Sequence, residues 1–218
     1  MGPLQKTGAY WLAGFALFAV AFSGVEVEAA PPAEGRPLFY WGARAATIVV
    51  ARAERHETDG AVEEIQAAVD KGSFVLRFTF DRDVADALTL PDGRPVSGRL
   101  RSVLHVDADN SRRTGLDSPG DPRRGADYRI EIGVIALGED PDEKLEARAL
   151  VTVVAAALLP DGRRRAVWHA DSDDPVAVSI RGRAVEFRIP PSDVSVFPGA
   201  RLIFSDERDR YSEGQLAP

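Results

Sequence analysis

The residue types with most chemistry to offer crowd into His105 to Ile130, HVDADNSRRTGLDSPGDPRRGADYRI. There an apolar run, Leu100 to Val106, enters a carboxylate-rich loop, and a second apolar run begins at Tyr128. An extended chain puts alternate side chains on one face, so His105, Asp107 and Asp109 are expected to project together. Carboxylates that close repel unless a positive charge lies between them. Ca²⁺ fits such a place, because it takes six to eight oxygens from carboxylates, amides and carbonyls. Asp107, Asp109, Asn110 and Ser111 supply oxygens locally, and Asp117, Asp121 and Asp127 as the loop returns. Thr114-Gly115 and Gly125 permit the changes of direction that turn carbonyls inward. The loop has few apolar residues to bury, so an ion would supply its ordering energy. Zn²⁺ prefers nitrogen and sulfur, and the chain has three histidines and no cysteine. An EF-hand is excluded: Arg112 stands where its turn glycine belongs and Ser118 where its bidentate glutamate belongs. The alternative is a solvated turn in which Asp and Asn merely suit loop geometry.

The pattern Asp107-x-Asp109-Asn110-x-x-x-Thr114-Gly115, followed by Gly125-Ala126-Asp127-Tyr128-x-Ile130, resembles a loop of secreted bacterial β-sandwich proteins, the carbohydrate-binding family 9 and DOMON-like group. The resemblance covers the loop and its flanking strands. It implies a β-sandwich, a calcium-holding loop and a carbohydrate ligand. One residue more than in the common form separates Asn110 from Thr114, which leaves the ligand roles of Ser111 and Thr114 open. The haem-binding version of that group would need Met and His axial ligands, and the single methionine is Met1.

The elements that must position this loop are short and strand-like. Ala45 to Ala53 is β-branched at its centre. Val62 to Asp70 and Phe74 to Phe80 alternate on either side of Asp70-Lys71-Gly72-Ser73 and predict a hairpin. Asp81 to Ser97 is expected to be a loop or edge segment. Leu145 to Leu159 is alanine-rich enough for a helix, but Pro160-Asp161-Gly162 followed by Arg165 to His169 favours a second hairpin, and Val176 to Ile180 with Ala184 to Ile189 predict a third. Ser192 is expected to cap one helical turn. Arg201 to Phe204 reads as the last strand, and Ser205 to Pro218 as a polar tail. About nine or ten short strands without alternating helices predict an all-β fold, an antiparallel, jelly-roll-like β-sandwich.

Residues 1–29 read as a signal peptide: Lys6, the apolar run Ala9 to Phe22, then Val27-Glu28-Ala29 before a cut. An uncleaved anchor is the alternative, though the run is shorter than the roughly 20 residues of a spanning helix. A Pro-rich tether, 30–37, precedes one domain, 38–218. The chain is therefore expected to be exported, to the periplasm or beyond the cell. With no cysteine its stability must come from packing and an ion. A formal net charge of -7 disfavours a nucleic-acid partner.

Trp41, Trp168 and Tyr128 are the aromatics that a sugar-stacking face would recruit, with core packing as the competing use. His169-Ala170-Asp171-Ser172-Asp173 repeats the spacing of His105 to Asp109, but no glycine-bearing return loop follows it, which favours a plain turn. There is no Gly-x-Ser-x-Gly elbow. The expectation is thus an exported, calcium-stabilised, non-catalytic module that binds carbohydrate. The first alternative is a structural or protein-partner module in which the ion only orders the fold. The second is a glycoside hydrolase using two carboxylates across a cleft.

Overall fold

A computed structural model describes residues 35–41, 45–49, 61–88, 100–137, 148–205 and 211–216. The expected signal peptide, the end of the strand expected at Ala45 to Ala53 and the start of the one expected at Leu145 to Leu159 lie outside the described residues.

Two antiparallel sheets pack face to face, as the strand-rich pattern predicts. The first has the order β1 (Ala46–Val49), β2 (Val62–Asp70), β3 (Ser73–Phe80), β9 (Ala184–Ile189), β8 (Val178–Arg181). The second runs β11 (Tyr211–Gln215), β10 (Arg201–Ser205), β4 (Ser102–Asp107), β5 (Tyr128–Leu137), β6 (Arg148–Leu158), β7 (Arg164–Asp171). The β2–β3 hairpin closes through Lys71 and Gly72, at φ 50 and 85, the left-handed pair that matches strand twist. The even positions of β3, Phe74, Leu76, Phe78 and Phe80, are fully buried; the first three meet β9 in register, and Phe78 stacks on Phe187. Leu104, Val106, Ile130, Ile132, Val151, Val153, Leu202 and Phe204 fill the same core from the second sheet. Such alternation leaves the odd positions of β4 and β5, including His105 and Arg129, on the outer face.

Three expectations need correction. The segment 81–97 contains a one-turn helix, α1 (Val84–Leu88), which buries Val84, Ala87 and Leu88. Ser192 caps no helix: the amides of Asp193 and Val194 both bond to the Pro190 carbonyl, which makes an isolated turn. The polar tail is not all tail, because Tyr211–Gln215 pairs along β10 and delivers Leu216 to the core. A strand with so few apolar residues escapes a search for alternating hydrophobicity, since an edge strand has little core to face.

The last residues of the Pro-rich stretch are held in place. The Gly35 amide bonds to the Ile180 carbonyl, and Ser179 Oγ donates to the Arg36 carbonyl. Residues 38–41 continue across the outer face of the first sheet, where the Leu38 amide and the Trp41 indole N–H both donate to Glu186. Glu186 is fully buried beneath them. Among the described residues no helix is long and apolar enough to cross a membrane.

Candidate metal centre

Because β4 and β5 are neighbours at the middle of their sheet, the loop of residues 108–127 leaves and re-enters from two fixed strands. Backbone bonds stitch it together. The Asp127 amide bonds to the Val106 carbonyl, the Leu116 amide to the Ala126 carbonyl, the Gly125 amide back to the Leu116 carbonyl, and Leu158 donates to the Asp127 carbonyl from β6. Two glycines let the arms meet. Gly115 has φ 60, and a Cβ there would stand 2.1 Å from the Ala126 carbonyl oxygen. Gly125 has φ 91, and a Cβ there would lie 2.9 Å from both Arg112 Cα and the Ser111 oxygen and 3.0 Å from Asp107 Oδ2. Any other residue would force the loop apart next to its central carboxylate.

This closure gathers Asp107, Asp109 and Asp127. Each offers one carboxylate oxygen, and the three lie within 4.8 Å of one another, an arrangement that can hold a metal ion. Asp107 is buried, Asp127 half-buried and Asp109 exposed, so the cluster opens to solvent through Asp109. Backbone amides orient it. Ser111 N–H donates to Asp107 Oδ1 at 2.9 Å and to Asp109 Oδ1 at 3.0 Å, and Ala108 N–H donates to Asp127 Oδ2 at 2.9 Å. The Thr114 hydroxyl lies 3.0 Å from Asp109 Oδ1 and 2.9 Å from the Ser111 carbonyl. Asn110 takes the left-handed conformation, φ 54, which turns the chain between the two Asp ligands and Ser111.

Electrostatics show what the cluster lacks. Burial raises the Asp107 carboxyl above its ordinary pKa, with Asp109 adding to the shift and Arg201 opposing it. Burial also raises Asp127, and the charges of Asp109 and Asp107 push the same way. Among the described residues, Arg201 is the cation paired with the cluster. Opposite Asp107 in the β10–β4 register, it lies 3.3 Å from Asp107 Oδ2 and also donates to the carbonyls of Pro122 and Arg124. Three carboxylates and one guanidinium, which Glu213 shares at 3.8 Å, leave at least two negative charges, which a divalent cation would offset. The donors are all oxygens, which suits a hard cation rather than a thiophilic one.

The other expected ligands are elsewhere. Asp121 is gripped by the guanidinium of Arg123, at 2.9 and 2.6 Å, which holds its carboxyl below the usual range. Asp117 pairs with Arg124 at 3.2 Å. Both line a cavity on the outer face of the sheet. Ser111 contributes its amide to the cluster, while its hydroxyl accepts from the Arg113 amide. The aromatics do not share a face. Tyr128 and Trp168 pack against the core from the second sheet, and Trp41 lies on the first. At the end of β7, Asp171 accepts the Asp173 amide in a local turn, and among the described residues the Asp107 group is the one cluster of three or more potential metal ligands. Arg201 was not foreseen. It stands 94 residues from Asp107, and only the strand order brings the two together. No family model, curated protein or solved structure significantly matches the chain.

Proposed function

We propose that the chain is an exported binding module whose β4–β5 loop is ordered by Ca²⁺ and whose ligand is a carbohydrate. The observation that carries this reading is the Asp107–Asp109–Asp127 cluster, with its oxygens within 4.8 Å and its residual double negative charge. Calcium is preferred to Mg²⁺ because a loop of carboxylates, carbonyls and an open solvent side suits a large, variable coordination shell better than a strict octahedron. Export is supported by the charge and hydropathy pattern of residues 1–29. Carbohydrate is supported by the family resemblance of the loop.

The same chemistry supports a non-catalytic role. A glycoside hydrolase needs one carboxyl kept protonated beside its substrate. Asp121 and Asp161, which line the outer cavity, are both held below the ordinary carboxylate range by hydrogen bonds, from Arg123 and Arg163. The two carboxyls whose pKa is raised, Asp107 and Asp127, are the fully buried and half-buried members of the metal cluster, held by the loop's own hydrogen bonds from Ser111 and Ala108.

The test is a glycan array probed with the full chain in calcium and in chelator. Binding that calcium strengthens supports the module. Silence in both conditions, with calcium still raising the melting temperature, would leave the ion and move the function to a protein partner.

A further inference from the structure

Beside the acidic loop, the outer face of the second sheet carries a cavity of about 490 Å³, within the usual range of small-ligand pockets. Its floor is the cross-strand pair His105 on β4 and Arg129 on β5. The loop that reaches the metal cluster supplies one wall through Leu116 to Arg123, and the β6–β7 hairpin supplies another through Leu158 to Arg164.

Two features make this more than a surface dent. His105 is 4% exposed, and its Nδ1 is buried without a hydrogen-bond partner, as is Nε of Arg129 facing it. Buried polar atoms are rarely left unpaired, because each costs about 1–3 kcal/mol in desolvation. The second feature is charge. Glu131 alone serves two guanidiniums, Arg129 and, at 3.0 Å, Arg164. The remaining acids at the cavity, Asp117, Asp121 and Asp161, each have an arginine of their own. Counting the lining groups together with their ion-pair partners behind the lining, Arg124, Arg163 and Glu131, five guanidiniums against four carboxylates leave one positive charge in a chain whose formal charge is -7.

We propose that this cavity binds a sugar acid, its carboxylate on Arg129 and Arg164 and its hydroxyls donating to Asp117, Asp121 and Asp161. A single excess charge matches a carboxylate and not a phosphate dianion. Guanidiniums grip carboxylates in a planar fork, and carboxylates already bound to arginine keep lone pairs for hydroxyl donors. Among the described residues no Phe, Tyr or Trp lines the cavity, so hydrogen bonds and charge rather than ring stacking select the ligand. The inference rests on the binding-module reading and names its ligand class. It also couples the two sites, since the ordered loop is a wall of the cavity.

Calorimetric titration of the calcium-loaded full chain with sodium glucuronate, sodium galacturonate, glucose and sodium phosphate tests it. At least one uronate is expected to bind, with glucose and phosphate at least tenfold weaker. Arg164→Gln, a half-exposed position, is expected to weaken uronate at least tenfold and leave the calcium-dependent melting shift intact. Absence of uronate binding in a chain that still shows the calcium shift overturns the sugar-acid assignment without touching the metal centre. Equal binding of phosphate or glucose, or unaltered binding by the Arg164 variant, overturns it too.

Discussion

Replacing Asp127 by asparagine separates a metal ligand from an ordinary loop carboxylate, because the two roles predict opposite signs. The asparagine oxygen can still accept the Ala108 amide, which Asp127 holds at 2.9 Å, so the loop's hydrogen bond survives. What changes is charge. Burial and the neighbouring Asp109 and Asp107 raise the Asp127 pKa in the folded chain. The folded state therefore binds this proton more tightly than the unfolded one. The stability so gained is fully present below the unfolded pKa and is lost as pH rises through the folded value. The wild-type chain in chelator loses it as pH rises, whereas asparagine carries no charge, so Asp127→Asn should melt at the same temperature or higher, by a margin that grows with pH. In calcium the order reverses. An ion present at a hundred times its dissociation constant stabilises by about 2.7 kcal/mol, and a domain of this size gains roughly 2–4 °C per kcal/mol. The wild-type chain should rise by about 5–11 °C. The variant, with one negative charge left on the cluster instead of two, should rise by less than half of that. Differential scanning calorimetry at pH 7, with and without chelator, reads both differences. Equal calcium shifts in the two proteins, or a variant less stable in chelator, would refute the reasoning.

Asp109 is exposed and serves the loop only through Ser111 and Thr114, so Asp109→Ala should cost at most about 0.5 kcal/mol in chelator and considerably more in calcium, as urea melts would show. Arg201→Met leaves the buried Asp107 charge without its guanidinium and should destabilise the chelated chain by about 3–5 kcal/mol. Calcium should restore part of that loss and raise the melting temperature of this variant more than that of the wild type. Gly125→Ala forces a Cβ to within 2.9 Å of the opposite arm at φ 91, which should cost about 1–3 kcal/mol in urea melts and weaken calcium binding in a calorimetric titration. Trp41→Phe removes an N–H donor from buried Glu186 and should lower urea-melt stability by about 1.5–3 kcal/mol, with the calcium shift unchanged.

Much of the architecture is legible in residue order because alternation reports directly on a sheet with one face in the core. Phe74 to Phe80 and Tyr128 to Leu137 show their strands in their side chains. Tyr211–Gln215 does not, since an edge strand is defined by its backbone bonds to β10 and not by apolar residues. The candidate centre divides in the same way. Asp107 and Asp109 are local neighbours on one extended stretch, and Asp127 joins them because Gly115 and Gly125 let the arms close. Asp117 and Asp121 look like equal ligands in the sequence, yet each has an arginine nearby that claims its charge. A rule that counts loop carboxylates without counting nearby guanidiniums overstates the ligand set. Arg201 is the converse case, a cation invisible from the loop and supplied by strand register.

The claim beneath all of this is that the chain carries one divalent cation between Asp107, Asp109 and Asp127. Direct titration of Ca²⁺ into chelator-stripped protein by isothermal calorimetry addresses it, with Asp109→Ala alongside. One Ca²⁺ per wild-type chain is expected, bound more tightly than Mg²⁺, with binding at least tenfold weaker in the variant. A flat titration at millimolar Ca²⁺, or the same isotherm from both proteins, would contradict it.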